Sequence, residues 1–381
     1  MAAIFISPLS VFGWFEYFSS MMKIILFLLL LVISLALIGG AGPTGSVHRG
    51  STWTENEPFK NGFSGFADCA IMAVWAVGDQ IVVSTMAGEA QNPRYSFGHA
   101  TRLVPFRVAF IFLSSLTAIT LLVPSDDNRL LGGSGVTASP FVIALNDAGV
   151  PVVPHIMNAG MVIGILGNGA ETLYTASRIL RTMAHQALIP EFFAKVDDRG
   201  RPRAALLITG TIAIILTYIN LSSNGSDAIT WLIAITSASF FTNWLIVGFT
   251  SFRFHHALQL QRDPLFSEPY AWRSARWPLA PTWLLLVSLL LLACCFTVGL
   301  KPPGKPGINI VENFFQYMLG FLLIVGFTLG YKMIFRTSWR DLKKADHVTG
   351  RHRLSAEEIN ELDLYYSKPR WRRFLSYIQL W

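Results

Sequence analysis

Residues 66–94 of the chain have the sequence FADCAIMAVWAVGDQIVVSTMAGEAQNPR, an apolar run that Gly78, Asp79 and Gln80 interrupt in its middle. Glycine loosens a helix, and an unpaired carboxylate or amide in hydrocarbon is energetically expensive. A continuous membrane helix is therefore not expected at these three residues. The pattern predicts a membrane helix that is broken near the middle of the bilayer.

Two interpretations of this break follow from the residues. Freed backbone groups and half-helix ends at a break of this kind are the means by which secondary transporters hold a small charged solute and a coupling ion. The structural alternative is a kinked helix that packs against its neighbours, with Asp79 facing a polar bundle interior.

The composition places the whole chain in a membrane. Of its 381 residues, 52% are hydrophobic and only 14% are charged, and the mean hydropathy is +0.46. These values lie outside the usual range of soluble globular proteins. The sequence therefore predicts an all-α, polytopic membrane protein.

Further apolar stretches that are long enough to cross about 30 Å of hydrocarbon stand on both sides of the interrupted run. The predicted spans are about eight, at residues 24–41, 66–94, 104–123, 152–176, 204–221, 228–252, 279–300 and 314–335. A cleaved signal peptide is the alternative for the first stretch, but a basic segment before it is missing. We predict a transmembrane domain over residues 1–335 and a cytoplasmic tail over residues 336–381.

The distribution of basic residues predicts the orientation. Of the 30 Lys and Arg residues, 24 lie in the tail, in the loops after the second, fourth and sixth predicted spans, or at the span ends that adjoin them. Cytoplasmic loops carry an excess of Lys and Arg, so both termini are predicted to be cytoplasmic. The same pattern accounts for the net charge of +7 without nucleic acid as a partner.

A second polar cluster lies inside the fourth predicted span, where residues 167–172 have the sequence GNGAET. It is too polar for a lipid-facing surface, and we expect it to face the bundle interior. Asn168, Gly169 and Glu171 are candidates for lining a solute path. Tight helix packing through small residues is the structural alternative.

Enzyme chemistry finds no support in the sequence. His185, His255 and His256 lie at predicted span ends with no Cys or acid that would complete a zinc set. A phosphate-binding glycine loop is also missing. We therefore predict no enzymatic activity, no metal and no cofactor.

In the tail, Ser355 and Glu358 form a predicted capping box that opens a short helix.

Six stretches of the chain resemble the fungal amino-acid permeases of the amino acid, polyamine and organocation superfamily. They are FGWFEYFSSMMKII, AGEAQNPR, LYTASRILRTMA, IPEFFAKVDDRGRPRAALL, WLIAITSASFFTNWLIVGFTSFRFHHAL and GYKMIFRTSWRDLKKADHVTGR. They occur in the family's order between Phe12 and Arg351. The resemblance implies an inverted-repeat transporter fold of about twelve spans, whose fifth span corresponds to the first span here.

The resemblance also implies a function and a site. It implies alternating-access symport of amino acids with protons, in the plasma membrane. Trp75, Gly78, Asp79 and Gln80 would then bind solute together with Asn168 and Gly169, and Asp79 and Glu171 are the candidates for proton coupling. The family tends to have Gly-Thr-Glu in place of Gly78-Asp79-Gln80 and Asn-Pro-Arg-Lys in place of the sequence at 92–95, NPRY.

The same resemblance leads to an alternative function. The family's first four spans, which include its other broken helix, have no counterpart in these residues, and a site between two repeats needs both. The sequence therefore also permits a non-transporting nutrient sensor, or an inactive fragment of a permease whose start is set too late.

Overall fold

The computed structural model describes residues 9–42, 45, 47–48, 50–55, 57, 59–74, 93–132, 139–150, 152–198, 200–271, 274, 276–304, 307–349 and 351–373. Over these residues the chain is helical, with short 3-10 turns and loops and no strand. The described helices are α1 (Leu9–Ile38), α2 (Ser51–Glu55), α3 (Gly62–Ala73), α4 (Pro93–Leu122), α5 (Asn128–Gly132), α6 (Pro140–Asp147), α7 (Val153–His185), α8 (Arg203–Ile219), α9 (Ser223–Gln261), α10 (Leu279–Leu300), α11 (Ile310–Phe335) and α12 (Ala356–Ser367).

Five of the described helices contain a stretch long and apolar enough to cross a membrane. These stretches are Gly13–Ile38, Leu103–Leu122, Trp231–Gln261, Leu279–Leu300 and Ile310–Phe335. Helix α7 also has the necessary length, with 33 residues, but its glycines, Asn168 and Glu171 make it less apolar. The predicted class, an all-α polytopic membrane protein, is confirmed.

Several helices extend beyond the predicted spans. Helix α1 begins at Leu9, well before Ile24, because the residues between them contain no helix breaker except Gly13. Helix α9 continues past Phe252 to Gln261, and Pro264 follows shortly after its end. Hydropathy marks the part of a helix that lies in hydrocarbon, whereas capping and helix-breaking residues set where the helix itself begins and ends.

The chain divides into two compact units. The first contains the described residues of 1–60 and 107–222. Within it, α7 packs against α1, α6 and α8. Leu30 and Leu37 of α1 meet Leu145 of α6 and Met157 of α7 in a buried apolar cluster.

The second unit contains the described residues of 61–106 and 223–381. Helices α9, α10 and α11 pack against one another, and α3 packs against α10. Their shared core includes Phe241, Cys294, Cys295 and Val298, each at most 1% exposed. Gly320 allows α11 to approach α9 closely, since an added Cβ there would lie 2.3 Å from the carbonyl oxygen of Ile235.

The end of α11 leads into a segment that folds back on this unit. Residues 337–355, all described except residue 350, form what we call the C-terminal strap. Gln261 Nε2 at the end of α9 donates to the carbonyl oxygens of Leu342 at 2.7 Å and Ala345 at 2.8 Å. Farther along, Arg351 forms an ion pair with Asp263. The strap is thereby bound to the end of α9.

Helix α12 follows the strap and begins as predicted. Ser355 Oγ accepts from the backbone N–H of Glu358 at 3.2 Å, and a Glu358 carboxylate oxygen accepts from the N–H of Ser355 at 2.7 Å. This is the predicted capping box, which is confirmed. The Tyr270 hydroxyl donates to Asp363, and the ring of Tyr270 stacks on Tyr366. Helix α12 therefore packs against the loop between α9 and α10.

Candidate functional site

Helix α1 carries a polar face inside a stretch long enough to span a membrane. Glu16, Ser19, Ser20 and Lys23 are spaced three or four residues apart, which places them on one side of the helix. Glu16 Oε1 accepts a long hydrogen bond of 3.5 Å from Ser20 Oγ, and Glu16 Oε2 is buried without a hydrogen-bond partner among the described residues. A polar face in an apolar helix is expected to meet another polar surface rather than lipid.

A row of glycines on α7 faces this side of α1. An added Cβ at Gly160 would clash with the Leu26 side chain, at Gly164 it would lie 3.7 Å from Lys23 Cε, and at Gly167 it would lie 2.7 Å from Ser19 Oγ. From Gly160 to Gly167 the residue numbers rise along α7, whereas those of the facing residues on α1 fall from Leu26 to Ser19. The two helices therefore run antiparallel. The glycines allow the polar side chains of α1 to lie against the backbone of α7.

The polar groups at this helix crossing are incompletely paired. Ser19 is 4% exposed, and its Oγ has no hydrogen-bond partner within the described part of the chain. Lys23 Nζ lies 3.5 Å from the position that a Gly167 Cβ would occupy. None of the ion pairs among the described residues involves Lys23. An ammonium and a hydroxyl thus lie close to the backbone of α7 at Gly167, which is buried.

The structure positions three of the predicted site residues on α7. Glu171 lies one turn beyond Gly167 on the same face and is half-buried. Asn168 and Gly169 are exposed, and no heavy atom would lie within 4 Å of a Cβ at Gly169. The Asn168 carbonyl oxygen accepts from Thr172 Oγ1 at 2.8 Å. Solute binding by Asn168 and Gly169 stays a prediction, as does proton coupling by Glu171.

The other predicted site residues lie outside the described residues. They are Trp75, Gly78, Asp79 and Gln80. Helix α3 ends at Ala73, with Val74 as its C-cap, and the next described helix begins at Pro93. The predicted break at Gly78-Asp79-Gln80 and its roles in solute binding and proton coupling therefore remain predictions.

The sequence analysis missed Lys23 and Ser19 as candidate site residues. Lys23 directly precedes the apolar run that starts at Ile24, so hydropathy places it at the boundary of a span. The available signal was periodicity, because Glu16, Ser19, Ser20 and Lys23 repeat at helical spacing within a sequence free of proline.

The α1–α7 crossing has the chemistry of a site for a charged solute. An ammonium offers three N–H donors, and a serine hydroxyl can both donate and accept. Such groups are expensive inside a membrane unless a partner or water satisfies them. The arrangement can hold a carboxylate, and the Glu171 carboxylate on the same face of α7 can hold a proton or an amine.

Similarity to known proteins extends over nearly the whole chain. Residues 1–344 match the amino acid permease family. The amino-acid permease GAP5 of Candida albicans is 30% identical over 370 residues, covering 95% of this chain and 59% of the relative. The high-affinity glutamine permease of Saccharomyces cerevisiae is 30% identical over 378 residues, covering 95% of this chain and 56% of the relative.

The general amino-acid permease GAP1 of Saccharomyces cerevisiae is 28% identical over 381 residues, covering 96% of this chain and 62% of the relative. The chain thus spans about three fifths of the length of the curated relatives it matches. The match over residues 1–344 agrees with the order of the six sequence stretches and with the all-helical membrane fold. The chain belongs to the amino acid permease family.

Proposed function

We propose that this protein transports amino acids across a membrane by alternating access and leaves the solute chemically unchanged. The observation that carries the proposal is the family match over residues 1–344. The relatives are named as permeases for amino acids in general and, in one case, for glutamine. The finer parts of the proposal are coupling to protons, a plasma-membrane location and cytoplasmic termini.

The contacts between α1 and α7 support a solute path along this interface. A transporter for a zwitterion needs groups that bind a carboxylate and an amine near the middle of the membrane. Lys23 and Ser19 meet Gly167 at the crossing, and Glu171 follows one turn later on the same face. In the proposed mechanism Lys23 and Ser19 either contact the carboxylate of the solute or stabilise the helix backbone that contacts it.

The predicted site residues keep their proposed roles. Trp75, Gly78, Asp79 and Gln80 bind solute from the segment between α3 and α4, and Asn168 and Gly169 contribute from α7. Asp79 or Glu171 takes up the coupled proton. Asp79→Asn and Glu171→Gln each test the proton role, because loss of the pH dependence of uptake with retained solute binding is expected only at the coupling residue.

The decisive experiment measures uptake of radiolabelled amino acids in permease-deficient yeast cells at two external pH values. The protein is expressed from the full open reading frame that contains these residues, and its surface level is measured in parallel. We expect uptake that increases at acid pH. Lys23→Met and Gly167→Val are expected to reduce uptake about tenfold or more, because each removes or displaces a polar group at the crossing.

Two matched variants serve as controls. Lys195→Met removes one charge from an exposed loop position. Gly326→Val adds the same side chain where no heavy atom lies within 4 Å of the new Cβ. Both are expected to retain uptake. A full-length protein that reaches the surface but moves no amino acid would overturn the proposal and favour the nutrient-sensor alternative.

A further inference from the structure

Two cations meet one tryptophan ring where α11 ends and the C-terminal strap begins. Lys332 Nζ lies 4.1 Å from the centroid of the Trp339 ring, and Arg253 Cζ of α9 lies 5.2 Å from it. The ring of Phe249 packs edge-on against the same tryptophan at 6.2 Å. We call Arg253, Lys332 and Trp339 the cation–tryptophan cluster.

The charge of this cluster is not compensated within the described part of the chain. Neither Arg253 nor Lys332 forms an ion pair there. Arg253 Nη2 uses one donor on the carbonyl oxygen of Arg340 at 3.0 Å. The nearest acid along the chain, Asp341, accepts from the backbone N–H of Lys343. The cluster therefore presents two cations with most of their donors available.

Further cations flank the tryptophan in sequence. Arg336 and Arg340 are exposed, and neither forms an ion pair among the described residues. They raise the local positive potential, and the field of neighbouring like charges attracts an anion.

The cluster lies where a membrane helix leaves the hydrocarbon. The last turn of α11 exposes Met333, Ile334 and Phe335, at 73%, 75% and 62%. Trp339, at 67% exposure, follows four residues after Phe335. Tryptophan is enriched at the level of lipid headgroups, and apolar side chains just before it contact acyl chains. A ligand at this cluster can therefore reach charged, aromatic and apolar groups together.

We propose that the cation–tryptophan cluster is a binding site for the headgroup of an anionic phospholipid. Its phosphate accepts hydrogen bonds from Arg253 and Lys332, and its glycerol and upper acyl carbons contact Trp339 and Phe335. A soluble phosphate would use the two cations but would gain nothing from the exposed apolar turn. The inference concerns a lipid rather than the transported solute, so it does not depend on the proposed transport activity.

Such a site would also join two helices. Arg253 belongs to α9 and Lys332 to α11, and Arg253 additionally donates to the strap at Arg340. A bound phosphate reduces the repulsion between the two cations, because it places a negative charge between them. Lipid binding is therefore expected to stabilise the packing of α9 against α11.

The test uses the full-length protein in nanodiscs of phosphatidylcholine alone or of phosphatidylcholine with phosphatidylserine. Native mass spectrometry counts retained lipid, and thermal unfolding measures stability. The wild type is expected to retain phosphatidylserine and to unfold at a higher temperature in its presence. In the double variant Arg253→Gln, Lys332→Gln we expect affinity for this lipid to fall about tenfold or more.

Three comparisons make the result specific. Lys195→Gln with Arg353→Gln removes the same total charge from exposed positions and is expected to retain the lipid. Arg253→Lys with Lys332→Arg keeps both charges and is expected to retain it as well. Inorganic phosphate, added to the protein in phosphatidylcholine, is expected to give no stabilisation.

Other outcomes would overturn the proposal. If the wild type retains phosphatidylcholine and phosphatidylserine equally, there is no anionic site, whether or not the neutral variant folds. If the charge-matched control loses the lipid to the same extent, the effect is one of net charge alone. If inorganic phosphate stabilises the wild type as much as phosphatidylserine does, the ligand is a soluble phosphate and not a lipid.

Discussion

Arg351 and Asp263 form an ion pair that joins the C-terminal strap to the end of α9. Arg351 Nη2 donates to Asp263 Oδ2 at 2.8 Å, and both side chains are only 11% exposed. Asp263 Oδ1 also accepts from the backbone N–H of Leu265 at 2.9 Å. A second acid, Glu268, lies 3.7 Å from Arg351 Nη1. The segment after the last membrane helix is thus bound to the loop that precedes α10.

Replacing Arg351 with glutamine is expected to loosen the strap. The change leaves the Asp263 carboxylate largely buried and without its cation. We expect it to weaken the docking of the strap by about 1–2 kcal/mol, a value between the costs of breaking an exposed and a fully buried ion pair. Hydrogen exchange of the amides in residues 340–349 should become about tenfold faster. Arg353→Gln, two residues away at an exposed position, is the control and should leave exchange unchanged. Equal effects of the two substitutions would show that the ion pair does not hold the strap.

The strap is expected to stay docked from about pH 8 to about pH 4. The hydrogen bond from Arg351 lowers the pKa of Asp263, and hydrogen bonds from Thr349 and Val348 lower the pKa of Asp346 to about 2. A carboxyl whose pKa is lower in the folded state stabilises that state above its unfolded pKa of about 3.9. That stabilisation is lost as the pH falls through the lowered folded pKa.

Spin labels at His256 and Lys343, both exposed, can measure this docking by pulsed electron paramagnetic resonance. The distribution of distances between the two labels should remain constant down to about pH 4 and broaden at lower pH. Broadening already between about pH 8 and pH 5 would mean that a group other than these two carboxyls controls the strap.

Gly320→Ala is expected to disturb the packing of α11 on α9. The added Cβ would lie 2.3 Å from the Ile235 carbonyl oxygen and 2.5 Å from Ser239 Oγ, so backbone must move. Overpacking of this kind costs about 1–3 kcal/mol, which a lower unfolding temperature of the purified protein would report. Gly326→Ala and Gly330→Ala make the same change on the same helix where no heavy atom lies within 4 Å of the new Cβ. If all three variants unfold at the same temperature, the close approach at Gly320 does not limit stability.

Asn313→Leu is expected to destabilise the hairpin between α10 and α11. Asn313 is 6% exposed, and its Nδ2 donates to the carbonyl oxygens of Val298 and Gly299, both at 2.8 Å. Leucine leaves two carbonyls in the last turn of α10 without this donor, at a cost of about 1–3 kcal/mol. Thr328→Val is a suitable control, since that exposed hydroxyl donates to Ile324 within its own helix. If the Thr328 variant loses as much thermal stability as the Asn313 variant, the two hydrogen bonds from Asn313 do not stabilise the hairpin specifically.

The structure agrees with the sequence analysis where the signal is local. The predicted span 279–300 coincides with α10, and the capping box at Ser355 and Glu358 opens α12. Both features depend on residues within a few turns of one another. Helix α1 begins at Leu9, several turns before the predicted apolar span at residues 24–41, because the polar residues before Ile24 continue the helix.

Only part of the candidate site could be predicted from the sequence. Glu171 was singled out because an acid inside a span is expensive, and the structure puts it on the face of α7 that carries Gly167. Lys23 and Ser19 were missed. Their importance depends on which face of α1 meets α7, and hydropathy does not contain that information.

By itself the sequence determined the membrane class, most of the helical spans and the resemblance to the amino-acid permeases. Each of these follows from apolar run length, capping residues or motif order, which are properties of neighbouring residues along the chain. Tertiary structure alone decided that Lys23 lies against Gly167, that Arg351 pairs with Asp263, and that Arg253 and Lys332 share Trp339. These contacts join residues that are distant in sequence, and they exist only because the packing of whole helices brings their side chains together.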